Sequence, residues 1–280
     1  MALGRTPGEG IGVKPLWTPS EKRVKEANLT QFIDYVNRKY DLKVRSYSEL
    51  YRWSVEKVSD FWSAVWDYAG IICSRRYDKV VDDLGKFPGA KWFPGARLNF
   101  AENLLRYSED RVAFVSKSEI RDSARLTYSD LYRKAGHMAD SLRKMGIRPG
   151  DRVAGYLPNI PEAAIAMLAA TSVGAVWACC GAELGARAVL DRLGQIGPRV
   201  LFAADGYVYK GRKFNILPGV EKVVKGVPSL EKVVIVPYVE AEPRIENVPG
   251  VVRFDELDPS HGEGDVRFQQ LPAEHPHTVL

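Results

Sequence analysis

Tyr209-Lys210-Gly211-Arg212-Lys213 is the stretch of this sequence whose residue types and spacing could do chemistry. It follows an apolar run, Val200 to Ala203, and a turn at Ala204-Asp205-Gly206. A short apolar run bounded by turn residues reads as a buried strand. In α/β folds, ligands bind beyond the carboxyl ends of such strands. Basic side chains placed there could grip a phosphate, and the Arg212 guanidinium could do so with two parallel hydrogen bonds. On spacing alone, a solvated basic loop is the plainer reading and stands beside the phosphate grip.

Other candidates fail on context. Gly8-Glu9-Gly10-Ile11-Gly12 superficially resembles a dinucleotide loop, but it follows no strand and has no acidic partner downstream. Gly206 to Lys213 nearly matches a phosphate-binding Walker loop. Arginine stands where that loop needs its lysine, and lysine where it needs the Mg²⁺-binding Ser or Thr. No Gly-x-Ser-x-Gly nucleophile elbow occurs. His137 falls within a long helical pattern, with a surface position expected. His261, His275 and His277 fall in Pro- and Gly-rich stretches without a carboxylate or cysteine cluster. Cys73, Cys179 and Cys180 sit in apolar surroundings, where a free thiol behaves as a small buried hydrophobe. No catalytic residue and no metal ligand is therefore predicted.

Two kinds of element must position the basic stretch. The first ~95 residues read as helical and aromatic-rich. Thr18-Pro19-Ser20-Glu21 has the spacing of a capping box with proline at the first helical position. Leu29, Phe32, Ile33, Val36 and Tyr40 recur at helical spacing, Ser46 to Glu49 starts a second helix, and Val58 to Ala69 forms a third closed by Gly70. The aromatic stripe of these helices reads as core packing. After Pro94-Gly95, Asn99 with Glu102 opens a further helix. From about residue 110, strands alternate with helices: Val112–Val115, Arg125–Tyr128, helix Ser129–Met145, Arg152–Leu157, helix from Pro161 to near Gly174, Val176–Cys180, helix Ala186–Gln195, Val200–Ala203 and Glu231–Val236. Continuous apolar strands between helices predict an α/β fold, with a mostly parallel sheet covered on both faces. The expected organisation is a helical N-terminal segment, 1–95, followed by a three-layer αβα subdomain, 96–280.

Composition limits the function classes. The 40 basic residues are offset by 35 acidic ones spread along the chain, and no arginine-rich arm or aromatic-basic ladder appears. A nucleic-acid partner is not expected, and a polyanionic small molecule fits the net charge of +5 better. No apolar run approaches the ~18 residues of a membrane span. Met1 to Gly12 has no apolar core of a signal peptide. No membrane association and a cytoplasmic location are the expectation.

The motifs also carry a resemblance covering nearly the whole chain. Trp53-Ser54-Val55, Asp60-Phe61-Trp62 and Phe93-Pro94-Gly95-Ala96-Arg97-Leu98-Asn99 resemble the N-terminal region of the acetyl- and acetoacetyl-CoA synthetases. Leu126 to Leu131 and Pro149 to Val153 are similar to the wider adenylate-forming superfamily. Val189-Leu190-Asp191-Arg192, Gln195-Ile196 and Val200 to Tyr209 look specifically like the acetoacetyl-CoA synthetase family.

That resemblance implies a two-step acid–thiol ligase. A carboxylate attacks the α-phosphate of Mg-ATP, giving an acyl-adenylate and pyrophosphate, and the CoA thiol then expels AMP. CoA and Mg-ATP would be substrates of the complete enzyme, with no tightly bound cofactor in this chain. The family's phosphate loop, its later acidic motifs and its mobile lysine are not in this sequence, and Glu274 to Leu280 looks like the strand before that loop. The expectation is an N-terminal part, truncated before the ATP phosphate loop and inactive alone, with a separately encoded C-terminal remainder as a conceivable partner. The alternatives are a noncatalytic CoA- or nucleotide-binding module, or a remnant of a short-chain acetyl or propionyl acyl-CoA synthetase. Within the boundary, the acetyl-CoA relatives' CoA-binding Arg-x-Gly-Arg stretch falls on Tyr209-Lys210-Gly211-Arg212. Gly211 and Arg212 match, Tyr209 replaces the first arginine, and Lys210 could restore its charge. Gly181 to Leu184 departs from the family's Ser-Pro-Asp-Phe and supports no assignment.

Overall fold

The structure is a computed structural model that describes residues 15–107, 109–257 and 266–280. The Gly8–Gly12 motif and His261 lie outside the described residues. The chain divides into two compact units, Met1–Ile71 with Lys79–Phe93, and Ile72–Asp78 with Pro94–Leu280.

The first unit contains α1 (Glu21–Lys25), α2 (Asn28–Tyr40), α3 (Tyr47–Glu56) and α4 (Val58–Tyr68). The first cap is Ser20, whose side chain accepts from the Arg23 amide. Pro19 thus precedes the cap instead of opening the helix, contrary to the sequence expectation. Ser46 caps α3 as expected, accepting from the Glu49 amide. Phe32, Val36, Val44, Leu50, Trp53 and Ala64 form the core of this unit. Phe32 meets Phe61 edge-on at 6.0 Å, and Trp53 meets Phe61 likewise. Phe32, Trp53 and Trp66 are buried in packing, as their helical spacing indicated, whereas Tyr47, Tyr51 and Trp62 are exposed.

In the second unit, β1 (Arg97–Leu98) and α5 (Phe100–Leu104) lead into β2 (Val112–Ser116), β3 (Ala124–Thr127), α6 (Tyr128–Lys144), β4 (Arg152–Leu157), α7 (Pro161–Ser172), β5 (Val176–Gly181), α8 (Ala186–Ile196) and β6 (Val200–Ala204). Next come β7 (Gly206–Tyr209), β8 (Arg212–Asn215), α9 (Leu217–Gly226), β9 (Lys232–Val236), β10 (Val251–Arg253), α10 (Phe254–Leu257) and β11 (Leu271–Pro272). The central sheet has five strands in the order β10-β9-β6-β4-β5, and every pairing in it is parallel. Side chains of a strand alternate between faces. Val200, Phe202 and Ala204 of β6 accordingly join a cluster with α6 and α7, while Leu201 and Ala203 join one with α8 and α9. Both faces are covered, which is why the strands read as unbroken apolar runs. Helix α7 is buried from Ile165 to Ser172 except at Met167, so it shows no polar stripe.

Only Cys180 of the three cysteines is buried; Cys73 is half-buried and Cys179 exposed. β5 is the edge strand of the sheet, met on its outer side at Trp177 by Thr278. His137 is half-buried in α6, with a buried Nδ1, instead of lying at the surface. The strand expected over Glu274–Leu280 is reduced to a single parallel bridge between Trp177 and Thr278. No helix among the described residues is long and apolar enough to cross a membrane.

Candidate functional site: a basic hairpin beyond the sheet

Strand β6 delivers Asp205, a carboxylate that is 3% exposed, to the carboxyl end of the sheet. Its Oδ1 accepts from the amides of Tyr238 and Val239 at 2.8 and 2.9 Å, and its Oδ2 from Glu240 at 2.7 Å. The Ile216 amide closes on the Asp205 carbonyl at 3.1 Å. Asp205 therefore fastens the base of everything between Gly206 and Asn215 to the segment that follows β9.

That interval is not an irregular loop. β7 and β8 pair antiparallel, Tyr209 with Arg212 and Tyr207 with Phe214, around a two-residue turn. Lys210 and Gly211 hold φ of +50° and +73°. Both central residues of such a turn need positive φ, where only glycine is unstrained, so Gly211 is required by the turn as well as by any ligand. Gly206 serves a different need, because a Cβ there would fall on the Phe214 carbonyl oxygen across the hairpin. The hairpin had a sequence signal: Tyr207-Val208-Tyr209 and Arg212-Lys213-Phe214 alternate around a residue pair ending in glycine.

The register sorts the basic side chains. Arg212 lies opposite Tyr209 and Lys213 opposite Val208, so the two point to opposite faces of the hairpin. Lys213 donates to the Val239 carbonyl and pairs with Glu240 at 3.2 Å, beside a cleft of about 570 Å³ that Asn215, Glu221 and Arg244 also line. The structure therefore does not bring Lys213 together with Arg212 as a single phosphate grip. On the other face, Tyr207 stacks on Phe214 at 4.8 Å and 10°, forming a platform below Tyr209 and Arg212. Tyr209 is 58% exposed, and the Lys210 ammonium sits 5.2 Å above its ring. Arg212 is exposed and makes no side-chain hydrogen bond or ion pair with the described residues. The turn amide of Gly211 donates to Glu119 Oε2 at 2.6 Å.

Tyr156, in β4 beneath this face, donates its hydroxyl to the Leu184 carbonyl at 2.5 Å and so holds the connection between β5 and α8. Burial pushes the Tyr156 hydroxyl above its ordinary pKa, with Tyr207 and Glu183 adding to the effect, so it stays a neutral donor. Sequence reasoning missed Asp205, Glu119 and Tyr156, whose partners lie far away in the chain.

His275 and His277 do structural work. His275 Nε2 bonds the Gly174 carbonyl at 2.9 Å, and the His277 ring stacks on Phe100 at 4.2 Å. Among the described residues no group of three or more His, Cys, Asp or Glu could hold a metal ion.

A doubly covered parallel sheet with a basic hairpin beyond its carboxyl edge defines an α/β protein of the class in which ligands bind at that edge. Residues 100–278 match the model of the AMP-binding enzymes, and residues 47–104 match that of the acetyl-coenzyme A synthetase N-terminus. The chain belongs to the AMP-binding enzyme family. It is 39% identical to the acetoacetyl-CoA synthetase of Xenopus tropicalis over 97% of this chain and 42% of the relative. It is 40% identical to that of Danio rerio, over 95% of this chain and 41% of the relative. A solved acetoacetyl-CoA synthetase from Streptomyces lividans superposes with a TM-score of 0.89 at 37% identity, across 96% of this chain and 41% of that one. The chain thus spans about two fifths of the length of the curated relatives it matches, in their N-terminal portion.

Proposed function

We propose that this chain forms the N-terminal part of a cytoplasmic acetoacetate–CoA ligase, and that the hairpin Tyr209-Lys210-Gly211-Arg212 holds the phosphate-bearing end of CoA. The observation that carries this reading is Arg212, an exposed guanidinium without an ion pair among the described residues, on the hairpin face that Tyr207 and Phe214 floor. A planar guanidinium binds phosphate through two parallel hydrogen bonds, and the tyrosine faces offer stacking area for an adenine. Lys210 adds a second positive charge at the tip. Lys213 contributes to the potential but not to the grip.

The overall reaction converts acetoacetate, ATP and CoA to acetoacetyl-CoA, AMP and diphosphate. The acetoacetate carboxylate attacks the ATP α-phosphorus and pyrophosphate leaves. The CoA sulfur then attacks the adenylate carbonyl and AMP leaves. Charge developing on the phosphates must be neutralised by fixed donors and Mg²⁺, and loss of one such donor typically costs ~10²- to 10³-fold in rate. Among the described residues no carboxylate cluster is placed to hold Mg²⁺. The role left to this chain is to bind and orient CoA. The portion of the relatives' length that this chain does not span would supply the adenylating machinery. Within this chain the proposed boundary sets 1–95 as the helical segment and 96–280 as the first α/β subdomain, which carries the hairpin. Acetoacetate-dependent pyrophosphate release by the purified 280-residue chain would overturn the proposal that it is inactive alone.

Calorimetric titration with CoA, with dephospho-CoA as control, tests the site. Binding that weakens without the 3′-phosphate is expected. Arg212→Ala should weaken it roughly ten- to a hundredfold, the worth of a charge-assisted phosphate contact. Equal affinity of Arg212→Ala and the parent chain would remove the hairpin from the CoA site.

A further inference from the structure

We propose that the turn amide of Gly211 is an anion site and that the Glu119 carboxylate is its displaceable internal occupant. The inference rests on the CoA reading of the hairpin and adds how a phosphate gains entry. Gly211 donates to Glu119 Oε2 at 2.6 Å, between two residues with positive side chains, Lys210 and Arg212. An amide in a positive-φ turn flanked by cations is a concavity suited to an anion. The occupying carboxylate marks where a ligand oxygen would sit.

The strap carrying Glu119 is fixed without it. Ser118 Oγ accepts from the Ile120 and Arg121 amides at 3.3 and 2.9 Å. Arg121 pairs with Glu162 at 2.7 Å, donates to the Pro237 carbonyl at 2.7 Å and lies 4.7 Å above the Tyr238 ring. Glu119 itself is exposed, with the Gly211 amide as its hydrogen-bond partner. Its side chain can swing out while the strap stays docked. A phosphate, carrying more charge than one carboxylate, takes its place.

A structural clamp would predict the opposite outcome, since removing Glu119 would then loosen the tip. The test is calorimetry with CoA, combined with NMR titration of the Gly211 amide by inorganic pyrophosphate, on the parent chain, Glu119→Gln and Arg212→Ala. Glu119→Gln is expected to bind CoA roughly two- to fivefold tighter, the worth of one exposed charged contact. Its Gly211 amide should respond at lower pyrophosphate concentration. Unchanged or weaker CoA binding in Glu119→Gln, with Arg212→Ala still weakened, overturns this inference and leaves the CoA reading standing. A stronger Gly211 response to pyrophosphate without any CoA binding keeps the anion site and removes CoA from it. No response to either probe overturns both.

Discussion

Asp205 shows how one residue governs the hairpin. Its carboxylate satisfies three consecutive backbone amides, Tyr238 to Glu240, in a position nearly closed to water. Replacing a buried acceptor leaves its donors unsatisfied at roughly 1–3 kcal/mol each, less what relaxation recovers. Asp205→Ala should therefore lose at least about 2 kcal/mol of stability by urea unfolding. It should also speed hydrogen exchange at Tyr238, Val239 and Glu240, whereas exchange at an unaffected rate would show that the carboxylate is not what holds them. Asp130 governs a helix start in a similar way. It forms a reciprocal capping box with Thr127 at the head of α6, and the Thr127 hydroxyl holds its carboxyl below the ordinary range, with Arg133 adding to the effect. A carboxyl whose pKa is lower folded than unfolded adds stability that is complete above the unfolded pKa and lost as pH falls through the folded one. Asp130→Asn should flatten the acid limb of the stability–pH curve, read from urea midpoints between neutral pH and about pH 3.

At the scale of elements, the two ends of the parallel sheet have separate duties. Arg199, just before β6, pairs with Asp151 before β4 at 2.5 Å and with Glu231 before β9 at 2.8 Å. The Arg199 guanidinium holds the Glu231 carboxyl below its usual range. This clamp ties three strand entries together at the amino end, while the hairpin, the Glu119 strap and the β5–α8 connection gather at the carboxyl end. Arg199→Met should lower the urea midpoint and leave CoA affinity unchanged. A loss of affinity without loss of stability would contradict that separation.

At the scale of the molecule, each unit has its own core. The first is small, a cluster of six buried residues, Phe32 and Trp53 with four aliphatic ones, against which Tyr35, Tyr40 and Phe61 pack, and the second has two large clusters on either face of its sheet. Small cores bury a smaller fraction of their surface and are less stable. Trp17, Trp53, Trp62, Trp66 and Trp92 belong to the first unit and Trp177 alone to the second. Tryptophan fluorescence should therefore report loss of the first unit at lower urea than far-ultraviolet circular dichroism reports loss of the second. Coincident curves would mean that the chain unfolds as one cooperative body.

The sequence by itself determined the parallel α/β class, strands β4, β5, β6 and β9 with helices α6 to α8, and the residues of the hairpin tip, but not the pairing of β7 with β8 or helix α9. These rest on local physics: apolar runs buried on both faces, caps such as Ser46 and Asn99, and glycine where φ is positive. Tertiary structure alone decided strand order, and with it the exposure of Cys179 on the edge strand. It alone set Arg212 and Lys213 on opposite faces, because pairing register converts neighbours in sequence into opponents in space. It alone placed Glu119 on an amide 92 residues away and Asp205 on amides 33 to 35 residues away. Backbone donors carry no side-chain signature, so a carboxylate bound to distant amides looks in sequence like any other acidic residue.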